Sequence, residues 1–470
     1  MKLHHIELPD PAKAGMMAGF GEFVARTSLD DIPAEILDYA KGSLLHNLAC
    51  ALMSRNNNEA CDSLALEYYA SPSEATLISS GQKASLPGTI LANAALMHGR
   101  TQDDSHVPSS SHPGCLVLPA AMAVAEHRGA SGGDFLTAAI LGYEVLGRIG
   151  RAGKLLTVPR GFRGTPLYGP FGSATAIAKL MGYSPARIAN SLTIAANLSG
   201  GLGITWVEGT EEWRFQAAMA GMNGLLATRV GVAISSATHF TLEGRAGFFE
   251  AFGGTAETPV APFDNPDHWE FEDITLKRFP CCAMLQGQTS LLLEFVAEHP
   301  LPPDDIETVE ITLSQFEAEY PGIDSTGPFA SRGGTLMSAQ FCAALVLVEH
   351  DFTTKGLDRI DDSRILDLAR RVRVIGEKDR PRSNGKVAIH MKSGDVHRLQ
   401  WDPSMMSPSK RFADVSAYVA DMIGEVGIGG DIARELVDHV GALDKAPNVD
   451  RLLQTLLPRG DAAVQAVALA

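Results

Sequence analysis

The chain has 470 residues, of which 45% are hydrophobic and 20% charged, and its formal net charge is −16. That length allows two or three domains with substantial cores, and the composition excludes a mostly disordered chain. The acidity argues against a nucleic-acid partner, although a local cluster of Arg or Lys can still hold an anion inside a cleft.

The start Met1-Lys2-Leu3-His4-His5 lacks the apolar run of a signal peptide, and no stretch of about eighteen apolar residues reads as a membrane span. A soluble, cytoplasmic protein is the expectation. Asp30-Asp31-Ile32-Pro33-Ala34-Glu35 reads as a helix start, with Pro early and acids at the positive end of the dipole. Ile36, Ala40, Leu44, Leu45 and Leu48 continue it at helical spacing. A second helix is expected near 60–70 and a third over 84–98.

The third helix runs into the most polar loop of the chain, Arg100-Thr101-Gln102-Asp103-Asp104-Ser105-His106-Val107-Pro108-Ser109-Ser110-Ser111-His112-Pro113-Gly114. Loops of this kind carry function more often than packing, and a His beside an Asp can supply a base near neutral pH. An apolar small-residue helix follows. Ser131-Gly132-Gly133-Asp134 caps the next, which is apolar almost all round from Phe135 to Ile149 and is therefore expected to be buried. Arg148 and Arg151 lie near its negative end. A Gly/Pro-rich loop, 160–172, carries Arg160 and Arg163 and opens an Ala-rich helix. Beyond the Gly-rich and aromatic stretch 199–216, a further helix covers 217–234.

The pattern changes after Pro259-Val260-Ala261-Pro262. Lys277-Arg278-Phe279-Pro280-Cys281-Cys282 precedes a helix through Ala297. Residues 307–313 alternate at period two, as a strand does. A helix covers 337–350, and strands follow at 372–375 and 386–392. The second of these turns at Ser393-Gly394-Asp395 into 396–401 as a hairpin. The fold class is therefore mainly α with an α+β lid. An all-helical domain over 1–262 is completed by 405–460, a smaller α/β domain of helices and antiparallel sheet covers 265–402, and 461–470 is a tail. The six cysteines have no zinc spacing, and no phosphate-binding glycine loop is present, so no metal or nucleotide cofactor is expected.

The order of these motifs resembles the MmgE/PrpD family over nearly the whole chain. The resemblance rests on Asp103-Asp104 to His112-Pro113-Gly114 with Leu118-Pro119-Ala120-Ala121, on Gly142-Tyr143-Glu144-Val145 with Arg148, and on Gly161-Phe162 to Gly169-Pro170-Phe171-Gly172. It continues in Gly209-Thr210, in 242–248 and in Lys277-Arg278-Phe279-Pro280-Cys281. It implies a cleft between the two domains, a homodimer, no cofactor, and small carboxylate substrates that lose a proton next to a carboxylate. The chain departs from the family pattern at Thr101 (an acid in the dehydratase and decarboxylase), Arg163 (a histidine), Trp213 (a lysine), Gln216 and Gln286 (histidines).

These readings give a set of candidates. His112 is the base, oriented by Asp104 or Asp103. Lys277 is a carboxylate holder or second base. Arg163 is the favoured carboxylate grip, because Arg binds such groups bidentately. His106, Tyr168, Gln286 and Arg148 are further substrate contacts, with a helix-end charge or an internal ion pair the competing role for Arg148. The expected activity is a cofactor-independent lyase, dehydratase-like, on a small hydroxy-carboxylate. An epimerase of an imino- or amino-dicarboxylate and a non-catalytic ligand-binding paralogue are the alternatives.

Overall fold

The computed structural model describes residues 15–255 and 267–459. The expected domain boundary near 262 and the tail at 461–470 lie outside them. Two large hydrophobic cores, with two smaller clusters, organise the described residues. The first is built from helices α1 (Ala34–Met53), α2 (Leu86–Met97), α3 (Gly114–Arg128), α4 (Gly132–Thr157), α5 (Gly164–Leu180) and α6 (Trp213–Ala233). The C-terminal helix α8 (Phe412–Gly424) joins it, so Val415, Val419 and Ile423 share a core with Leu44, Leu45 and Leu48.

Local sequence explains these elements. Ser131 caps α4 by accepting from the Asp134 amide at 3.1 Å. The apolar residues around α4 leave it no solvated face, and it is buried from Phe135 through Gly150. Helices α2 and α3 open with Pro in the first turn or just before it, where its missing N–H is harmless.

The second core surrounds a four-stranded sheet and helix α7 (Ala339–Glu349). Two short strands, β1 (Ser105–His106) and β2 (Ile274–Thr275), precede it in the chain and pair with each other. The sheet itself comprises β3 (Ile306–Ser314), β4 (Val372–Glu377), β5 (Gly385–Met391) and β6 (Val396–Trp401), in the order β4-β3-β5-β6. Val309, Ile311 and Leu313 alternate into the core, as period two dictates, and a shift of register between Ile306 and Thr308 lets Ile306 be buried as well. The 393–395 hairpin forms, with Gly394 at φ 95°. One expectation is corrected: β3 and β4 are parallel, Val309 pairing with Val372. Residues 315–371 between them include α7, a crossover long enough to bring the second strand back in the same direction. Among the described residues no helix is long and apolar enough to cross a membrane.

Candidate active site

A cavity, open at one side, lies where the two cores meet. The helical domain lines it with Thr101, Ser105, His112, Lys154, Arg163 and Lys277, and the sheet domain with Phe316, Tyr320, Met337 and Arg382.

The 100–113 loop is held by the β1–β2 ladder, in which Ser105 pairs with Thr275 and His106 with Ile274. That ladder carries Lys277 to the loop, placing its ammonium 4.0 Å from Asp103 Oδ1. A second tie runs from Gln102 Nε2 to the Arg278 carbonyl at 2.8 Å. The glycine after Arg163 has a steric reason. A Cβ at Gly164 would stand 2.5 Å from the Ser110 carbonyl oxygen, so only glycine lets the loop cross the start of α5.

His112 lines the cavity with about a fifth of its side chain exposed (20%). Its Nδ1 lies 2.9 Å from the Asp104 carbonyl oxygen, to which it donates; this leaves the lone pair on Nε2. Burial first, and then the Lys277 charge, hold its pKa well below the ordinary imidazole value. His112 is thus a neutral base with its accepting nitrogen directed away from the loop.

Asp103 is the hub behind it. Both carboxylate oxygens accept from His98 Nδ1, at 2.9 and 3.0 Å, and Oδ2 lies 3.6 Å from His112 Nδ1. Burial alone would raise its pKa, but His98, His112 and Lys277 outweigh this and keep it ionised far below the usual carboxylate range. His98 Nε2 accepts from Arg163 Nη2 at 2.6 Å, so His98 is neutral and links Asp103 to Arg163. Burial lowers its pKa in the same sense. Arg163 also donates from Nη1 to the Trp213 carbonyl at 2.6 Å and stacks over Trp206 with its Cζ 4.7 Å from the ring centre. His98 and Tyr320 are absent from the sequence reading. The five-residue step from His98 to Asp103 was the available signal for the first. Tyr320 follows a four-residue helix that gives no periodic pattern.

Lys277 is 1% exposed, lines the cavity, and makes no hydrogen bond among the described residues. A buried ammonium with three free donors and only a distant counter-charge is a strong point of attachment for an anion.

Other candidates stand elsewhere. The Asp104 carboxylate faces away from the cavity and accepts from Ser43 Oγ at 2.5 Å, Tyr143 OH at 2.7 Å, Asn47 Nδ2 at 2.9 Å and the Gly114 amide at 2.9 Å. Its orienting contribution comes through its backbone carbonyl. A side chain at Gly114 would put its Cβ 2.6 Å from Asn47 Nδ2, which accounts for the glycine of His112-Pro113-Gly114. His106 touches the cavity, but its ring lies between Ser109 Oγ and Glu270 Oε2, at 2.8 Å from each. Tyr168 is buried off the cavity wall and bonds Thr157 Oγ1 at 2.6 Å. Arg148 is also off the wall; α4 continues to Thr157, so it is not a helix-end charge but lies within the helix, where it forms an internal ion pair with Glu144 at 3.3 Å and meets the His268 carbonyl at 2.8 Å. Gln286 lines the cavity, yet its amide is used to pin the 279–281 turn through the Phe279 amide and carbonyl, both at 3.0 Å.

Among the described residues, two sets of side chains have ligand-like spacing for a metal: His98, Asp103 and Cys115, and His106, Glu270 and Asp273. Each already holds a cation. Arg163 and Lys277 flank the first, and Arg151 Nη2 donates to Glu270 at 2.7 Å and also meets Asp273 in the second.

A helical domain, a smaller sheet domain, and a cleft holding a neutral histidine, a buried lysine and an ionised aspartate define the scaffold class. Residues 18–260 match the MmgE/PrpD N-terminal domain and residues 279–401 the MmgE/PrpD C-terminal domain, and the chain belongs to this family. It is 28% identical to a cis-aconitate decarboxylase of Aspergillus terreus, covering 95% of this chain and 96% of that one. The cis-aconitate decarboxylase-like protein oryM of Aspergillus oryzae is 28% identical over 68% of this chain and 71% of its own. A cis-aconitate decarboxylase of Homo sapiens is 29% identical over 47% of this chain and 48% of its own.

Proposed function

We propose that the protein is a lyase that removes a proton from the carbon next to a substrate carboxylate, dehydratase-like on a hydroxy acid. The observation that carries this reading is the placing of His112, its Nδ1–H committed to the Asp104 carbonyl, in one cavity wall with the Lys277 ammonium, which makes no hydrogen bond among the described residues. His112 Nε2 takes the proton. The electron pair moves toward the carboxylate, where Lys277 and the remaining Arg163 donors stabilise the growing negative charge. The pair then returns to expel the β-hydroxyl, which leaves as water once protonated. Tyr320, its pKa pushed up to about 12 by burial, keeps its proton and is the cavity's candidate acid.

The relatives' name supports a second reading. Decarboxylation generates the same kind of carbanion by losing carbon dioxide, and a proton from Tyr320, replaced from water, would then quench it. The test is incubation with a panel of carboxylic acids in heavy water. The dehydratase reading expects alkene formation with deuterium entering the remaining substrate next to its carboxylate. Carbon dioxide release without loss of water overturns it in favour of a decarboxylase, and exchange without elimination in favour of an epimerase.

The pH profile gives a further expected result. Only neutral His112 accepts a proton, so kcat/KM falls as His112 protonates. Its depressed pKa places that acid limb below the usual imidazole value of about 6.5, with no loss of activity through neutrality. Lys277 is one of the charges that lower it, so the limb moves to higher pH in Lys277→Met. A limb at or above the ordinary imidazole range in the unsubstituted protein would remove His112 as the base.

A further inference from the structure

We propose that Lys154 and Arg382 form a second anion subsite in the cavity that holds Lys277, and that the ligand is an elongated dianion with an apolar middle. This rests on the cavity being the carboxylate site.

Lys154 projects from α4 into the cavity wall and is 6% exposed. Its only hydrogen bond among the described residues runs from Nζ to the Val107 carbonyl at 2.6 Å. Two of its three protons therefore lack an acceptor, and it forms no ion pair among those residues. Arg382, on the turn before β5, stacks on Phe316 with its Cζ 3.7 Å from the ring centre, leaving the edge of the guanidinium for a ligand. Glu317 is the acid on this wall, but its carboxylate is already engaged by Ser314 Oγ at 2.6 Å and by the Ser383 amide at 3.0 Å. Burial, with Arg382 and Arg151 nearby and Glu317 opposing them, brings the Lys154 pKa down to about 8, as expected of a cation short of counter-charge.

The cavity thus holds two buried lysines, each short of an acceptor. Both stand against the same loop, Lys277 beside Asp103 and Lys154 beside Val107. Four residues of chain reach at most about 14 Å, which bounds the separation of those two anchor points. Leu276, Met284, Leu336, Met337 and Met406 supply apolar wall, and methionine adapts readily to a flexible chain. A ligand anchored at both lysines would meet water-excluding surface along its length.

The test is calorimetric binding of succinate, glutarate, adipate and suberate to the full chain at neutral pH. Monocarboxylates of matched length serve as controls. Diacids longer than succinate are expected to bind about tenfold or more tighter than their monoacid counterparts. Lys154→Met and Arg382→Ala are expected to remove that advantage and leave monoacid affinity unchanged, while Lys154→Arg retains it. Arg382 is exposed, so its substitution keeps the fold even if Lys154→Met does not. Equal binding of diacid and monoacid by the unsubstituted chain, or equal weakening of both by the substitutions, overturns the proposal. If monoacids bind in a manner that Lys277→Met abolishes while diacids gain nothing, this subsite fails and the carboxylate reading stands. If neither class binds, both fail.

Discussion

Replacing His112 with Asn is expected to lower kcat by about 10²- to 10⁴-fold, the usual contribution of a positioned general base. Asn keeps an N–H donor for the Asp104 carbonyl that now accepts from His112 Nδ1 at 2.9 Å, so the loop stays in place. It removes the imidazole lone pair on the far side of the ring, which is the group that takes the proton. Substrate affinity is expected to change little, because Lys277 and Arg163 remain. Steady-state kinetics, with circular dichroism to check the fold, reads the effect. Undiminished turnover would exclude His112 as the base, and a raised KM at constant kcat would make it a binding group instead.

Asp104→Ala is expected to act on stability. Four donors converge on this buried carboxylate: Ser43, Asn47, Tyr143 and the Gly114 amide. Alanine leaves all of them without their acceptor in a closed interior, which costs about 3–5 kcal/mol. Tyr143→Phe removes one donor only and is expected to cost about 1 kcal/mol. Urea unfolding of the two variants separates them, and equal midpoints would show that the cluster is not a cooperative anchor. Any loss of activity in Asp104→Ala follows from displacement of the His112 loop, since the Asp104 side chain does not reach the cavity.

The helices and the polar loop are legible in the sequence because both leave local signals: apolar periodicity and capping residues for the first, a dense run of acids, histidines and serines for the second. What is hidden depends on contacts between distant segments. Asp103 and Asp104 are chemically identical neighbours and both fully buried; only the partners each side chain meets, His98 and Lys277 for the first and Ser43, Asn47 and Tyr143 for the second, separate the hub of the histidine cluster from a structural anchor. His98 looks like the end of α2 until Arg163, sixty-five residues later, donates to its ring. The β1–β2 ladder is two residues long and shows no alternation, yet it delivers Lys277 to the site. The parallel pairing of β3 and β4 is equally invisible, because period two does not report direction. Arg148 and Tyr168 show the converse. Each has suitable chemistry, and each spends it on a neighbour within its own domain.

The short β1–β2 ladder settles which body each group belongs to. Ile274 and Leu276 sit in the helical core, so Lys277 is anchored on the same body as His112, Asp103, His98 and Arg163. The sheet domain contributes Phe316, Tyr320, Met337 and Arg382 from across the cleft. The groups proposed to remove the proton and to stabilise the charge are therefore installed on one support, and much of the facing wall on another. Drift in the sheet domain can retune which acid fits without disturbing the geometry that ionises it. In such a scaffold, substrate choice is free to diverge faster than the chemistry.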